Sequence, residues 1–170
     1  MGSSARKSPL PAIGLAFMVA LLVAVPVALA AEGEAEISRP EYVAKLEPIC
    51  KANTNANARI LKGVKRQVQR GKLGPAGKRF IRASRALGRS VRVMARVPRP
   101  AADTTRLSKW LGYLVREKRF LQLIGKSLKS GNKYKAQKLA VKLNRNNNQA
   151  NNTVISFGFR ECRIDSSRFI

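Results

Sequence analysis

Residues 103–132 read DTTRLSKWLGYLVREKRFLQLIGKSLKSGN, and their spacing decides the fold class. Leu107, Trp110, Leu111, Leu114, Leu121, Ile124 and Leu128 recur at helical steps, so one side of a helix is apolar and the rest is polar. Asp103 or Thr104 offers an amino-terminal cap, and Ser130-Gly131-Asn132 offers a stop.

The same pattern repeats on both sides. Upstream, Ser38-Arg39-Pro40-Glu41 is a capping box with proline in the first turn. Tyr42, Val43, Leu46, Ile49, Cys50, Asn53, Ala56, Ile60, Leu61, Val64 and Val68 then predict one long helix ending near Gly71. Gly71, Gly74, Pro75 and Gly77 predict a turn. Phe80, Ser84, Leu87, Val91 and Met94 form the next stripe, ended by Pro98 and Pro100. Downstream, Ala136, Leu139, Ala140, Leu143, Ala150 and Val154 face inward on a last helix that fades around Phe157-Gly158-Phe159. Four amphipathic helices with short connections predict an all-α protein, an antiparallel up-down-up-down four-helix bundle over residues 38–163 with a tail at 164–170.

The first 30 residues carry Arg6 and Lys7, then an uncharged run from Ser8 to Ala31, with Ala28-Leu29-Ala30 at its end. This reads as a signal peptide cleaved after Ala30. An uncleaved membrane anchor is the alternative, because the run is long enough to span a bilayer. Residues 31–37 form an acidic linker. The expected location is therefore extracytoplasmic, secreted or at the cell surface, or tethered by the amino-terminal segment. In such a compartment two distant thiols persist as a disulfide, so Cys50 is paired with Cys162, joining the first helix to the carboxy-terminal segment. The bland alternative is two buried free thiols.

Glu41-Tyr42-Val43-Ala44-Lys45, Pro48-Ile49-Cys50-Lys51-Ala52-Asn53 and Phe157-Gly158-Phe159-Arg160-Glu161-Cys162 resemble segments of an uncharacterised family of exported helical proteins from high-GC Gram-positive bacteria. The resemblance covers the ends of the domain better than its middle. It implies the helical fold and the disulfide, and brings no activity.

Composition removes several kinds of function. The 170 residues include 34 Lys and Arg, 9 Asp and Glu, no histidine and two cysteines, for a formal charge of +25. Imidazole bases, imidazole ligands and histidine pH switches are excluded. Two cysteines are too few for a structural zinc site, and neither a metal nor a cofactor is expected. Catalytic constellations are also missing from the pattern. Glu41 and Glu47 do not share a helix face, Glu117 reads as a surface ion-pair partner of Arg116, Lys118 and Arg119, and the glycines from 71 to 77 lack the ending of a phosphate loop. A noncatalytic protein is expected.

The charge itself is patterned. Between Lys51 and Arg160 stand 28 basic residues and two acids, Asp103 and Glu117. Lys78, Arg82, Arg85, Arg89, Arg92 and Arg96 step by threes and fours along the second helix, a ridge of roughly 27 Å opposite the core stripe. Lys135, Lys138 and Lys142 add a basic strip on the last helix. Solubility alone explains polar residues there, but not the absence of glutamate, an equally good helix former. Arginine forks suit phosphate and carboxylate, so anionic envelope polymers or lipid head groups are the expected partners. Nucleic acid is less favoured, because Trp110, Tyr113 and Phe120 sit at core spacing and no recognition module is evident. The competing reading is a structural or protein-interaction bundle whose charge is compositional background. Oligomeric state stays open.

A last feature is asparagine, a poor helix former. Asn53 and Asn57 fall on the inner stripe of the first helix, and Asn144, Asn146, Asn147, Asn148, Asn151 and Asn152 crowd the last. They suggest a polar layer of Asn53, Asn57, Asn147 and Asn151, either fixing helix register or holding a small polar ligand.

Overall fold

The computed structural model describes residues 36–164; the proposed signal or anchor, its cleavage point, most of the acidic linker and the tail beyond 164 lie outside the described residues. Within them the chain forms α1 (Arg39–Leu61), α2 (Val64–Gln69), α3 (Leu73–Met94), α4 (Thr104–Lys129) and α5 (Lys133–Thr153), with 3₁₀ turns at Ala101–Asp103 and Ile155–Phe157. No described residue is in a strand. The four long helices pack as a four-helix bundle.

The contacts give the directions. Gly77 meets Gly125 and Lys129 while Gly88 meets Lys118, so α3 and α4 are antiparallel. Asn146 Nδ2 donates to the Tyr113 carbonyl at 3.0 Å, and Ala136 and Ala140 share a groove with Ile124 and Leu128, so α5 runs antiparallel to α4. Ala56 and Ile60 lie beside Arg79 and Arg82, whereas Cys50 lies beside Leu87 and Met94, so α1 is antiparallel to α3. The expected inner stripes are the ones buried on α3 and α4, with Trp110 and Leu107 fully enclosed.

Two local readings are corrected. The long first helix is broken at Gly63, whose φ of 77° is left-handed and needs glycine. Val64–Gln69 then starts a separate short helix that packs on α3. The predicted turn at 71–77 is shorter than expected. Left-handed Gly71 makes it, and Gly74, Pro75 and Gly77 already belong to α3. Gly77 instead serves a close crossing, since a Cβ there would stand 2.5 Å from the Gly125 carbonyl oxygen.

The extensive helix seams are α1 with α3, α3 with α4 and α4 with α5. The connection from α5 back to α1 runs through the segment after α5. Cys50 and Cys162 are joined by a disulfide, with their Cα atoms 4.9 Å apart. Glu47 of α1 accepts from the backbone N–H groups of Arg160 at 2.6 Å and Glu161 at 2.8 Å. Asn151 of α5 grips the other end, donating to the Ile164 carbonyl and accepting from the Ile164 N–H, both at 2.9 Å. Phe159 stacks on Trp110 with ring centroids 5.5 Å apart, and Phe157 stacks on Phe159 at 5.7 Å. Residues 157–164 thus form a strap tied to both outer helices and plugged into the core by its aromatic rings.

Helix ends follow the sequence with one exception. The Ser38–Glu41 capping box is formed, and Asn132 caps α5 by accepting from the Lys135 N–H at 2.8 Å. Asp103 precedes α4 but makes no side-chain cap. Its carboxylate is turned to Arg39, a partner better matched to a buried acid than a backbone N–H.

Candidate functional site

Two regions carry chemistry: a basic face and a polar cavity. On the face, Lys78, Arg82, Arg85, Arg89, Arg92 and Arg96 are all exposed. The first five lie on α3, covering about 21 Å of helix. Arg96 falls beyond the helix end at Met94 and Ala95, so the ridge is a turn shorter than the periodicity implies. None of the six pairs with a described carboxylate. Lys135, Lys138 and Lys142 are exposed on α5, a different helix that packs on α4. There Lys138 Nζ lies 4.4 Å from the centroid of the exposed Tyr134 ring.

The break at Gly63 adds a basic cluster that periodicity missed. Lys62, Arg66, Arg70, Lys72 and Arg79 line one recess of about 330 Å³ around that glycine, with no carboxylate among its lining residues. The Arg79 guanidinium donates to the Lys62 carbonyl and so fixes the corner. Arg79 also lines the neighbouring recess with Arg59 and Arg82. The ridge therefore continues through Arg82 and Arg79 to the α1–α2 corner. A glycine inside an unbroken helical pattern was the available signal.

The asparagines do not form a single layer. Asn57 donates to Asn53 Oδ1 at 3.3 Å along α1. Asn147 accepts from Asn146 at 3.3 Å, and Asn151 is committed to the strap. Only Asn53 and Asn57 of the four line the cavity beside the disulfide, which measures about 120 Å³. Trp110, Leu114 and Glu117 of α4 face it with Leu87 and Met94 of α3, and the strap closes it with residues 160–164.

Glu117 is the main correction here. It is half-buried against this cavity, and burial pushes its carboxyl up to about 8. It forms no ion pair with its basic sequence neighbours. Two further polar atoms at this cavity's lining residues lack a protein partner, the Asn57 Oδ1 and the Trp110 indole N–H. The charges beside Glu117 in the chain suggest a surface ion pair, but its helical phase, three residues after Leu114, is the better guide.

Among the described residues no group of acids, cysteines or histidines is arranged to hold a metal ion, and no helix is long and apolar enough to cross a membrane. The fold and surface define a disulfide-closed four-helix bundle with a one-sign charged face. No family model, curated protein or solved structure matches the chain.

Proposed function

We propose that this is an exported, noncatalytic protein that binds anionic polymers or lipid head groups of the cell envelope through its basic face. The observation that carries this reading is the acid-free run of cations from Arg89 and Arg85 through Arg82 and Arg79 to the recess at Gly63. Like charges at such density repel and destabilise the compact state, a cost that a bound polyanion relieves. Export is supported by the disulfide, which an oxidising compartment sustains, and by the character of residues 1–30.

The test is co-sedimentation of the domain with vesicles rich in phosphatidylglycerol and with purified teichoic polymer, across a salt series. Affinity should fall steeply and log-linearly with salt. Replacing Arg79, Arg82, Arg85 and Arg89 together by glutamate should abolish it. If the wild-type domain ignores both surfaces at low salt, or the quadruple variant binds equally well, the face is compositional background and the structural-bundle reading takes its place.

A further inference from the structure

The two ends of the bundle are finished differently. At one, the strap joins α5 to α1 and is locked by the disulfide. At the other, the short α2 has its one extensive seam with α3 among the described residues, and a groove of about 260 Å³ is left between α2 and α5. Its floor is Phe80, Ile124 and Leu128, and its walls are Val64 and Val68 of α2 and Ala136 and Ala140 of α5. The gap has a simple cause. Alanine stops at Cβ, so the start of α5 covers α4 without reaching across to α2. Apolar surface left facing water is unfavourable, and an apolar guest that covers it recovers the loss.

The rim says which guest. Lys65 of α2 and Lys133 at the start of α5 both line the groove and are exposed, and no carboxylate is among its lining residues. Across the same short helix, Arg66 and Arg70 belong to the cationic recess at Gly63. An apolar trough edged by one sign of charge complements an amphiphile of the opposite sign.

We propose that this groove takes the hydrocarbon chain of an acidic membrane lipid, with the lipid phosphate held by Lys65 and Lys133. The inference rests on the envelope reading above for the sign of the head group, and adds the chain, which a basic face alone does not recognise. An extended peptide fits the groove less well, because its amides would lie on a floor of valine, phenylalanine, isoleucine and leucine side chains that offer no hydrogen bonds. A second copy of the domain would bring its own excess of cations to a rim that is already cationic. A hydrocarbon chain has no polar group to satisfy, and its phosphate answers the two lysines.

Monobutyl, monohexyl and monooctyl phosphate, each below its micelle concentration, separate chain from charge when titrated into the protein beside inorganic phosphate and octyl glucoside. The methyl resonances of Ile124 and Leu128 report on the floor. Octyl phosphate should shift them saturably, and affinity should rise about fourfold for each added methylene that the groove buries. Octyl glucoside should bind at least about tenfold more weakly than octyl phosphate, as expected when charge-assisted contacts are lost. Lys65→Gln with Lys133→Gln should erase that preference and keep the chain-length dependence. Ala140→Phe, at a half-buried position, should fill the groove and weaken octyl phosphate at least about tenfold. Butyl and octyl phosphate binding alike, octyl glucoside binding as tightly as octyl phosphate, or floor methyls that do not respond would each overturn the proposal. So would a folded Ala140→Phe protein that binds as wild type does, or self-association of wild type that Ala140→Phe abolishes. Should that variant fail to fold, the chain-length series on wild type decides. Purified teichoic polymer without acyl chains should still sediment with Ala140→Phe, and the quadruple glutamate variant of the basic face should keep the chain-length dependence, so failure here and failure of the polyanion reading are told apart.

Discussion

Arg39 and Asp103, 64 residues apart in the chain, form a two-pronged ion pair, Nε to Oδ2 at 2.7 Å and Nη2 to Oδ1 at 2.8 Å. The same guanidinium lies over the Phe157 ring, 4.8 Å from its centroid. One side chain thereby ties the start of α1 to the turn before α4 and to the turn after α5. The acid is buried, so losing its partner would leave a desolvated charge.

This pair predicts an acid-sensitive component of stability. The hydrogen bonds from Arg39 hold the Asp103 carboxyl below its usual range. A depressed folded value means that the contribution is present above the unfolded carboxylate pKa and is lost as pH falls through the folded one. Ser38 lowers Glu41 in the same sense, so some slope remains without Asp103. Urea unfolding at pH 7, 4 and 3 should show Asp103→Asn less stable at pH 7 and flatter toward acid. Parallel curves for variant and wild type would refute the assignment.

The glycine crossing of α3 and α4 makes a second prediction. A Cβ on Gly77 would lie 2.9 Å from the Lys129 backbone nitrogen as well as 2.5 Å from the Gly125 oxygen, and one on Gly125 would lie 2.7 Å from the Gly77 oxygen. These are backbone atoms and cannot swing aside, so Gly77→Ala and Gly125→Ala should each cost about 1–3 kcal/mol. Gly112 is also inside α4 but meets nothing within 4 Å. Gly112→Ala should be neutral or stabilising by up to about 1 kcal/mol. Denaturant midpoints of the three variants decide it, and a Gly77→Ala protein as stable as Gly112→Ala would count against the close approach.

Periodicity captured what depends on one helix at a time. The buried residues of α3 and α4, the Ser38 cap and the pairing of the two cysteines were legible, because burial repeats every three to four residues and two thiols admit one intramolecular pairing. What depends on tertiary partners was not. Gly77 looked like punctuation until a second helix pressed on it, and Glu47 looked idle until the strap supplied two N–H donors. Glu117 was hidden by the cations around it in sequence, and Asn151, a polar-layer candidate by its spacing, instead grips Ile164 of the strap. In each case the residue type fitted two environments, and packing chose between them.

The strap gives a third prediction. The Cys50–Cys162 bond closes a sequence separation of 112 residues. In the chain-entropy model such a crosslink stabilises by about 4–5 kcal/mol. Reduction, or Cys50→Ser with Cys162→Ser, should lower stability by that order. It should also speed amide exchange at Arg160, Glu161 and Ile164, whose N–H groups are held by Glu47 and Asn151. Exchange that quickens only globally, with no excess at these three amides, would argue against a separately tethered strap.

Glu117 yields the prediction opposite in sign to that for Asp103. Burial raises its carboxyl from the ordinary 4.5 to about 8, so the folded protein keeps a proton that the unfolded chain releases. Between those values the folded state binds more protons, and stability falls as pH rises. The contribution is whole below about pH 4 and is lost through pH 8, a change on the order of a few kcal/mol. Glu117→Gln keeps the shape and removes the titration. It should be more stable than wild type at pH 8, similar to it at pH 5, and nearly flat between. Asp103 erodes stability from the acid side and Glu117 from the alkaline side, so wild type should be most stable near pH 5. Urea midpoints measured at pH 5, 6.5 and 8 provide the check. Equal slopes in the two proteins would return Glu117 to the solvent-exposed role suggested by its basic neighbours.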